Sequence, residues 1–174
     1  MLELERVWLI KTMPTDLNQH DHAEISQHYL NLPGGGRLRK RRNFKRAGDQ
    51  RVFKDMSFEL TQKRELAPGD RKRRDENNVY LSEEAYLLLK PTIIRGLKKI
   101  RHVIPLSGGL LAELDVFSDE LEGLTWVEVE FPSEESMNDF MPPDWFGREI
   151  TEERWASSSW VAGRTYDDIK HLLT

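Results

Sequence analysis

The sequence predicts an α+β fold: seven or eight antiparallel strands, closed or nearly closed into a barrel, with a few short helices beside it. Three observations predict it. Segments with two-residue alternation recur along the whole chain between turn signals. Most of them carry charges at positions i and i+2, which share one face of a strand roughly 6.5–7 Å apart. The helical stretches are few, short and amphipathic. The charged sets are Glu3/Glu5, Arg37/Arg39/Arg41, Thr61/Lys63 with Arg74/Glu76, Lys99/Arg101, Glu113/Asp115 and Glu128/Glu130. Taken singly, each is an ordinary solvated face. Their repetition on most strands, each opposite an apolar face that a helix can cover, favours a charged interior, where a polyanion with its metal ions would satisfy both signs.

Taken in order, Leu2 to Ile10 alternates as a first strand, with Glu3, Glu5 and Val7 on one face and Leu2, Leu4 and Trp8 on the other. Gly34-Gly35-Gly36 precedes a basic strand from Arg37, and a hairpin through Ala47-Gly48-Asp49 leads back through Arg51 to Lys63. Pro68-Gly69-Asp70 marks the next turn. Ser82 is the expected N-cap of a helix over 82–90 that Pro91 stops. Arg101 to Ile104 and Leu110 to Phe117 pair across Ser107-Gly108-Gly109. Leu124 to Phe131 is the clearest strand, with Val127, Val129 and Phe131 facing one way and Glu128 and Glu130 the other. Helices follow over 133–141, capped by Ser133, and 166–173, with a turn capped by Thr151 between them. The helices at 82–90, 133–141 and 166–173 are expected to cover the outside of the sheet.

At 174 residues, 38% of them hydrophobic, the chain is expected to form one domain, 1–174, with a substantial core. The absence of cysteine removes disulfide scaffolds and thiolate metal sites and leaves oxygen ligands for hard cations. No apolar run approaches the roughly 20 residues that cross a bilayer, and Glu3 and Glu5 disfavour a signal peptide, so a cytoplasmic protein is expected. The net charge of −4 conceals a segregation. Residues 37–74 hold 15 Lys/Arg against five Asp/Glu, whereas residues 103–153 hold 14 Asp/Glu and a single basic residue, Arg148.

The order of these motifs resembles the CYTH superfamily, the triphosphate tunnel metalloenzymes. Glu3-Leu4-Glu5-Arg6 matches the N-terminal E-x-E-x-K signature up to its last position. Gln27-His28-Tyr29-Leu30, Arg37-Leu38-Arg39-Lys40-Arg41, Leu60-Thr61-Gln62-Lys63, Arg74-Asp75-Glu76, Lys99-Ile100-Arg101, Glu113-Leu114-Asp115-Val116-Phe117 and Val127-Glu128-Val129-Glu130-Phe131 follow in the expected sequence, and the match is near-continuous from Ala112 to Thr151. None of these motifs is specific alone; their order over essentially the whole chain is. The resemblance implies an eight-stranded antiparallel β-barrel whose tunnel binds a triphosphate.

It also implies roles. Glu3, Glu5, Glu113, Asp115, Glu128 and Glu130 are candidate ligands for Mg²⁺ or Mn²⁺, which prefer hard oxygens. Arg37, Arg39, Arg41, Lys63, Arg74, Glu76, Lys99 and Arg101 are candidate substrate-binding residues, the arginines as forks and the lysines as point charges. Tyr29 and Glu130 are candidate catalytic residues. Register decides which of the three arginines at 37, 39 and 41 face inward. The chain departs from the pattern in two places: Val7 stands at the signature lysine, the partner of the residue corresponding to Tyr29 in some members, and Asn78 stands at a second glutamate. Five further basic residues, Arg42, Lys45, Arg46, Arg51 and Lys54, lie in a segment longer than usual.

The implied activity is a divalent-metal-dependent phosphohydrolase acting on inorganic triphosphate, thiamine triphosphate or a nucleoside triphosphate. The alternatives are a class IV-type adenylate cyclase, or a protein weakened in catalysis that binds triphosphate, polyphosphate or an RNA 5′ end. The partner is a triphosphate-containing small molecule, with nucleic acid only as an RNA 5′ end, no membrane, and a homodimer left open. His20 and His22 read as part of a polar loop rather than a metal clamp. The glycine run lacks the Lys-Ser/Thr of a P-loop. Trp145, Trp155 and Trp160 read as packing residues.

Overall fold

The computed structural model describes residues 2–32, 36–48, 50–65 and 72–173. Gly34, Gly35, Asp49 and the Pro68-Gly69-Asp70 turn lie outside them, as do the side chains of Lys63 and Arg74. The strands are β1 (Leu2–Ile10), β2 (Asp21–Leu30), β3 (Arg37–Ala47), β4 (Gln50–Glu65), β5 (Arg73–Leu81), β6 (Ile93–Pro105), β7 (Leu111–Ser118), β8 (Thr125–Glu130) and β9 (Phe146–Glu149). The helices are α1 (Glu83–Leu89), α2 (Glu134–Asp139), α3 (Ser158–Val161) and α4 (Tyr166–Ile169). No helix among the described residues is long and apolar enough to cross a membrane.

The strands form one antiparallel sheet in the order β5-β4-β3-β2-β6-β7-β8-β1-β9, nine among the described residues where the sequence predicts seven or eight. The additional strand, β9, lies along β1. A further pairing straps β1 to β5, with Leu2, Glu3 and Leu4 opposite Asp75, Arg74 and Arg73. The β3–β4 hairpin turns through Gly48 at φ +61°, a conformation that costs glycine little. Its register is unbroken from Arg37 to Asn43, and the irregularity falls between Asn43 and Phe44. Arg37, Arg39 and Arg41 therefore all keep one face, which settles the question of register.

Apolar packing divides into three clusters. Leu30, Leu38, Phe58 and Tyr86 join α1 to the outer face of β2–β4, and Ser82 caps that helix as expected, accepting from the Ala85 amide. Leu4, Trp8, Leu114, Val127, Val129, Met137 and Phe146 join α2 and β9 to the outer face of β1, β7 and β8. The third cluster corrects the expected covering role of the last helix. Ile169 of α4 and Val161 of α3 pack with Ile150, Trp155, Leu97, Phe117, Trp126 and Val7. Val7 lies on the same strand face as Glu3 and Glu5, so the C-terminal segment fills one end of the concave face instead of covering the outside.

Two local expectations also change. His22 belongs to β2, buried and stacked on Phe44 at 4.8 Å between ring centroids, because it pairs in register with His102 and Phe44. Thr151, expected to cap a turn, accepts from the Val7 amide (3.0 Å) and donates to Glu149 Oε1 (2.7 Å), tying the chain after β9 back to β1. Trp155 packs within the third cluster, and Trp145 and Trp160 pack against the second and third, as the sequence predicts.

Candidate active site

Strand alternation aims the charged residues of seven strands into one cavity of about 1260 Å³. One side is basic. Arg37, Arg39 and Arg41 of β3 and Lys99 and Arg101 of β6 line it, with Gln27 and Tyr29 of β2 between them. The other side is acidic, formed by Glu3 and Glu5 of β1, Glu113 of β7, and Glu128 and Glu130 of β8. Facing strands bring these together, since Glu5 pairs with Glu130, Val7 with Glu128 and Glu113 with Glu128. Arg95, Arg154, Ser157, Ser158, Ser159 and Trp160 also line the cavity.

The basic side carries its own counter-ions. Glu59 lies 3.5 Å from Arg39 and 3.9 Å from Arg41, and Glu76 lies 3.3 Å from Arg37. Asn78 donates to Glu76 Oε1 (2.7 Å) and accepts from the Thr61 hydroxyl (2.5 Å), so the residue at the missing second glutamate orients the first. Nevertheless the Nε atoms of Arg37, Arg39 and Arg41 are buried with no hydrogen-bond partner among the described residues. A buried unsatisfied donor costs about 1–3 kcal/mol, so each of the three favours an acceptor, water or anion, entering the cavity. Burial, reinforced by Arg37, Arg41 and Arg101, lowers the Arg39 guanidinium to about 10.

Asp115 does not line the cavity with the other acids. It is fully buried, and its carboxylate takes a bidentate pair from Arg101 (2.7 Å each) and a bond from Lys99 Nζ at 2.5 Å. Arg101 continues to Glu113 and to Glu128, 2.5 Å away. Burial alone would lower the Arg101 guanidinium, but Asp115, Glu113 and Glu128 outweigh it and raise it well above the ordinary value. Lys99 is lowered by burial and by Arg101, against the opposing pull of Asp115. Behind them the Trp126 indole N–H is shared between Glu128 Oε1 (3.0 Å) and Asp115 Oδ2 (3.3 Å).

The acidic side is crowded. Glu130 is exposed to the cavity, yet partial desolvation of its carboxyl there, together with Glu113, Glu3, Glu128 and Glu5, pushes it up to about 7. Tyr29 is pushed up to about 12 by burial, and Gln27 Nε2 donates to its hydroxyl at 2.7 Å. Among the described residues no three acidic or histidine side chains are drawn together into a ready-made metal cage.

An inorganic triphosphatase of Nitrosomonas europaea is 34% identical to this chain over 156 residues, covering 88% of the chain and 92% of that protein. The chain belongs to the CYTH superfamily. An inorganic triphosphatase of Acetivibrio thermocellus is 39% identical over 77 residues, 44% of this chain and 45% of that protein. The crystal structure of the inorganic triphosphatase NE1496 matches with a TM-score of 0.60 and 28% identity, covering 92% of this chain and 93% of that one. No protein-family model matches the chain.

Glu59, Gln27, Arg95 and Arg154 line the cavity, and Trp126 lies buried behind Glu128 and Asp115, though the sequence does not single them out. Glu59 and Gln27 carry a signal, since Glu59 stands four residues before the expected Lys63 and Gln27 two before the expected Tyr29, each on the same strand face as its neighbour. Trp126 stands two before Glu128 in the same way. Arg95 and Arg154 carry none.

Proposed function

We propose that this protein is a divalent-metal-dependent triphosphatase, with inorganic triphosphate its simplest substrate. The observation that carries the reading is the row of three buried arginine Nε donors across the cavity from crowded carboxylates. A polyphosphate chain offers each guanidinium two oxygens in the geometry its fork prefers. On this reading the strap from β1 to β5 completes an eight-stranded barrel, with β9 outside it and the cavity as its tunnel.

The donor set fits a hard cation. Mg²⁺ keeps several waters and uses one or two carboxylates plus substrate phosphates, so it does not require an all-protein cage. Glu3, Glu5, Glu128 and Glu130 would hold it, with Glu113 beside them. Asp115, engaged behind Lys99 and Arg101, would serve as their anchor and not as a ligand. The bound ion would polarise the phosphoryl group under attack and lower the charge of the transition state.

The chain's own residues do the rest. Arg37, Arg39 and Arg41 grip non-bridging oxygens, and Lys99 and Arg101, held in place by Asp115, meet others from the same basic side. Lys63 and Arg74 complete the proposed set of substrate-binding cations. Fixed cations that gain strength as negative charge shifts between oxygens accelerate an in-line displacement without reorganisation.

The test is phosphate release from inorganic triphosphate, thiamine triphosphate, ATP and pyrophosphate with Mg²⁺ or Mn²⁺. Release from the first that needs metal, and falls at least about 100-fold in Glu128→Gln/Glu130→Gln, is the expected result. Metal-independent release, or none from any substrate, overturns the reading.

A further inference from the structure

Gln27 and Tyr29 stand two apart on β2, on the face that looks into the cavity, and both line it. The Gln27 side chain is almost wholly buried, at 1% exposure, and its amide N–H donates to the Tyr29 hydroxyl oxygen at 2.7 Å. A phenol oxygen that accepts on one side turns its own proton to the other. The surrounding charges act in the same direction. Arg37, Arg39 and Arg95 all act electrostatically on the phenol, and the Arg95 guanidinium lies 5.4 Å from its ring centroid. Positive charge attracts the oxygen's lone pairs and repels its proton. Val7, packed in the apolar cluster against which Tyr29 also lies, adds no amine that could accept the proton and no cation that would stabilise a phenolate.

We infer that Gln27 is a positioning residue that fixes Tyr29 as a hydrogen-bond donor to a phosphate oxygen of the substrate, and that Tyr29 is not a proton acceptor in the reaction. The inference rests on the triphosphatase reading of the cavity. Burial agrees with it: it outweighs the pull of Arg37, Gln27, Arg39 and Arg95, which make the phenol more acidic and so a stronger donor, and the phenol, pushed up to about 12, keeps its proton through the working pH range. A base at this position would have to be phenolate.

The polarity of the Gln27–Tyr29 bond gives the test. Glu at position 27 would accept the phenolic proton and take the donor away from the cavity, whereas Leu would leave the hydroxyl unguided. Inorganic triphosphate hydrolysis is measured for wild type, Tyr29→Phe, Gln27→Glu, Gln27→Leu and the double variant Gln27→Glu/Tyr29→Phe from pH 6.5 to 10, with melting temperatures alongside. A hydrogen bond to a charged group is worth roughly 10- to 100-fold, so Tyr29→Phe and Gln27→Glu each lose that much in kcat/KM, and the double variant loses no more than either. Gln27→Leu falls between them and wild type. The inference is overturned if Gln27→Glu matches wild type, if its loss persists undiminished when Tyr29→Phe is already present, or if wild type shows an alkaline rise that Tyr29→Phe abolishes.

Binding of inorganic triphosphate in EDTA, followed by calorimetry, separates this from the broader reading. If wild type releases no phosphate, the triphosphatase reading fails. Equal weakening of triphosphate binding in Tyr29→Phe and Gln27→Glu then still supports the donor role, and unchanged binding in both overturns it.

Discussion

The basic and acidic sides of the cavity both hold like charges two residues apart on neighbouring strands, yet they handle the repulsion differently. On the basic side each cation meets a carboxylate of the protein: Glu76 at Arg37, Glu59 at Arg39 and Arg41, Asp115 at Lys99 and Arg101. These pairs hold each guanidinium beside a carboxylate before a substrate arrives, while the Nε atoms of Arg37, Arg39 and Arg41 make no hydrogen bond, that of Arg41 facing Glu59 at 3.9 Å. On the acidic side Arg101 is shared between Glu113 and Glu128, and the accumulated negative charge helps hold Glu130 up to about 7. The basic side is thus preorganised by its counter-ions, whereas on the acidic side the shared Arg101 leaves enough negative charge to raise the proton affinity of Glu130. Preorganisation of this kind is what lets fixed charges act on a transition state without a reorganisation cost.

Breaking the anchor of the basic side gives the largest effect. Asp115→Asn leaves buried Lys99 without its paired carboxylate and Arg101 with only Glu113 and Glu128, and removing one partner of a buried pair costs about 3–5 kcal/mol. Differential scanning calorimetry is expected to show a fall of about 10 °C in melting temperature. Triphosphate hydrolysis is expected to fall more than about 100-fold in kcat/KM as Lys99 and Arg101 lose their aim. A melting temperature close to that of wild type would mean that Asp115 does not anchor them.

The unmatched Nε edges come next. Arg39→Lys keeps the charge but not the fork, so KM for inorganic triphosphate should rise about 10-fold with kcat changed less. An unchanged KM would show that the Arg39 fork does not meet the substrate.

The smallest effect sharpens the acidic side. A carboxyl raised from 4.5 to about 7 binds its proton more tightly in the folded state than in the unfolded one. Folding stability of the metal-free protein is therefore highest below pH 4.5 as far as this group is concerned, and falls as pH rises through the window to about 7. Because Glu130 keeps contact with solvent in the cavity, the loss is discounted to about 1 kcal/mol. Urea titrations below and above this window would detect it. It should disappear in Glu130→Gln and be offset above the window by millimolar Mg²⁺.

Much of this is legible along the chain. Alternation of period two in Leu2 to Ile10 and in Leu124 to Phe131 assigns the faces of β1 and β8, because side chains on a pleated strand have no other choice. Ser82 and Ser133 stand as N-caps as expected. The charged pairs at 3/5, 37/39/41, 99/101 and 128/130 line one cavity as their spacing requires. His22 reads as loop, since a polar run gives no sign that cross-strand partners will stack on it. The short helix α3, capped by Ser157, is not foreseeable either, because four residues leave no periodic trace.

Position 7 separates the two levels most clearly. In the sequence Val7 marks the loss of a lysine from a charged face. In the structure the same face is charged at Glu3 and Glu5 and apolar from Val7 onward, where Leu97, Phe117, Trp126 and the C-terminal segment close around it. Asp115 makes the same point with the opposite sign: its spacing from Glu113 places it on the inward face, but its depth turns it into an anchor. The sequence by itself determined which residues share a face, because that depends on local backbone geometry. Only the tertiary structure decided how deep each one sits and which charge it meets, because depth and partner depend on register between strands far apart in the chain and on the segment that packs into the end of the sheet.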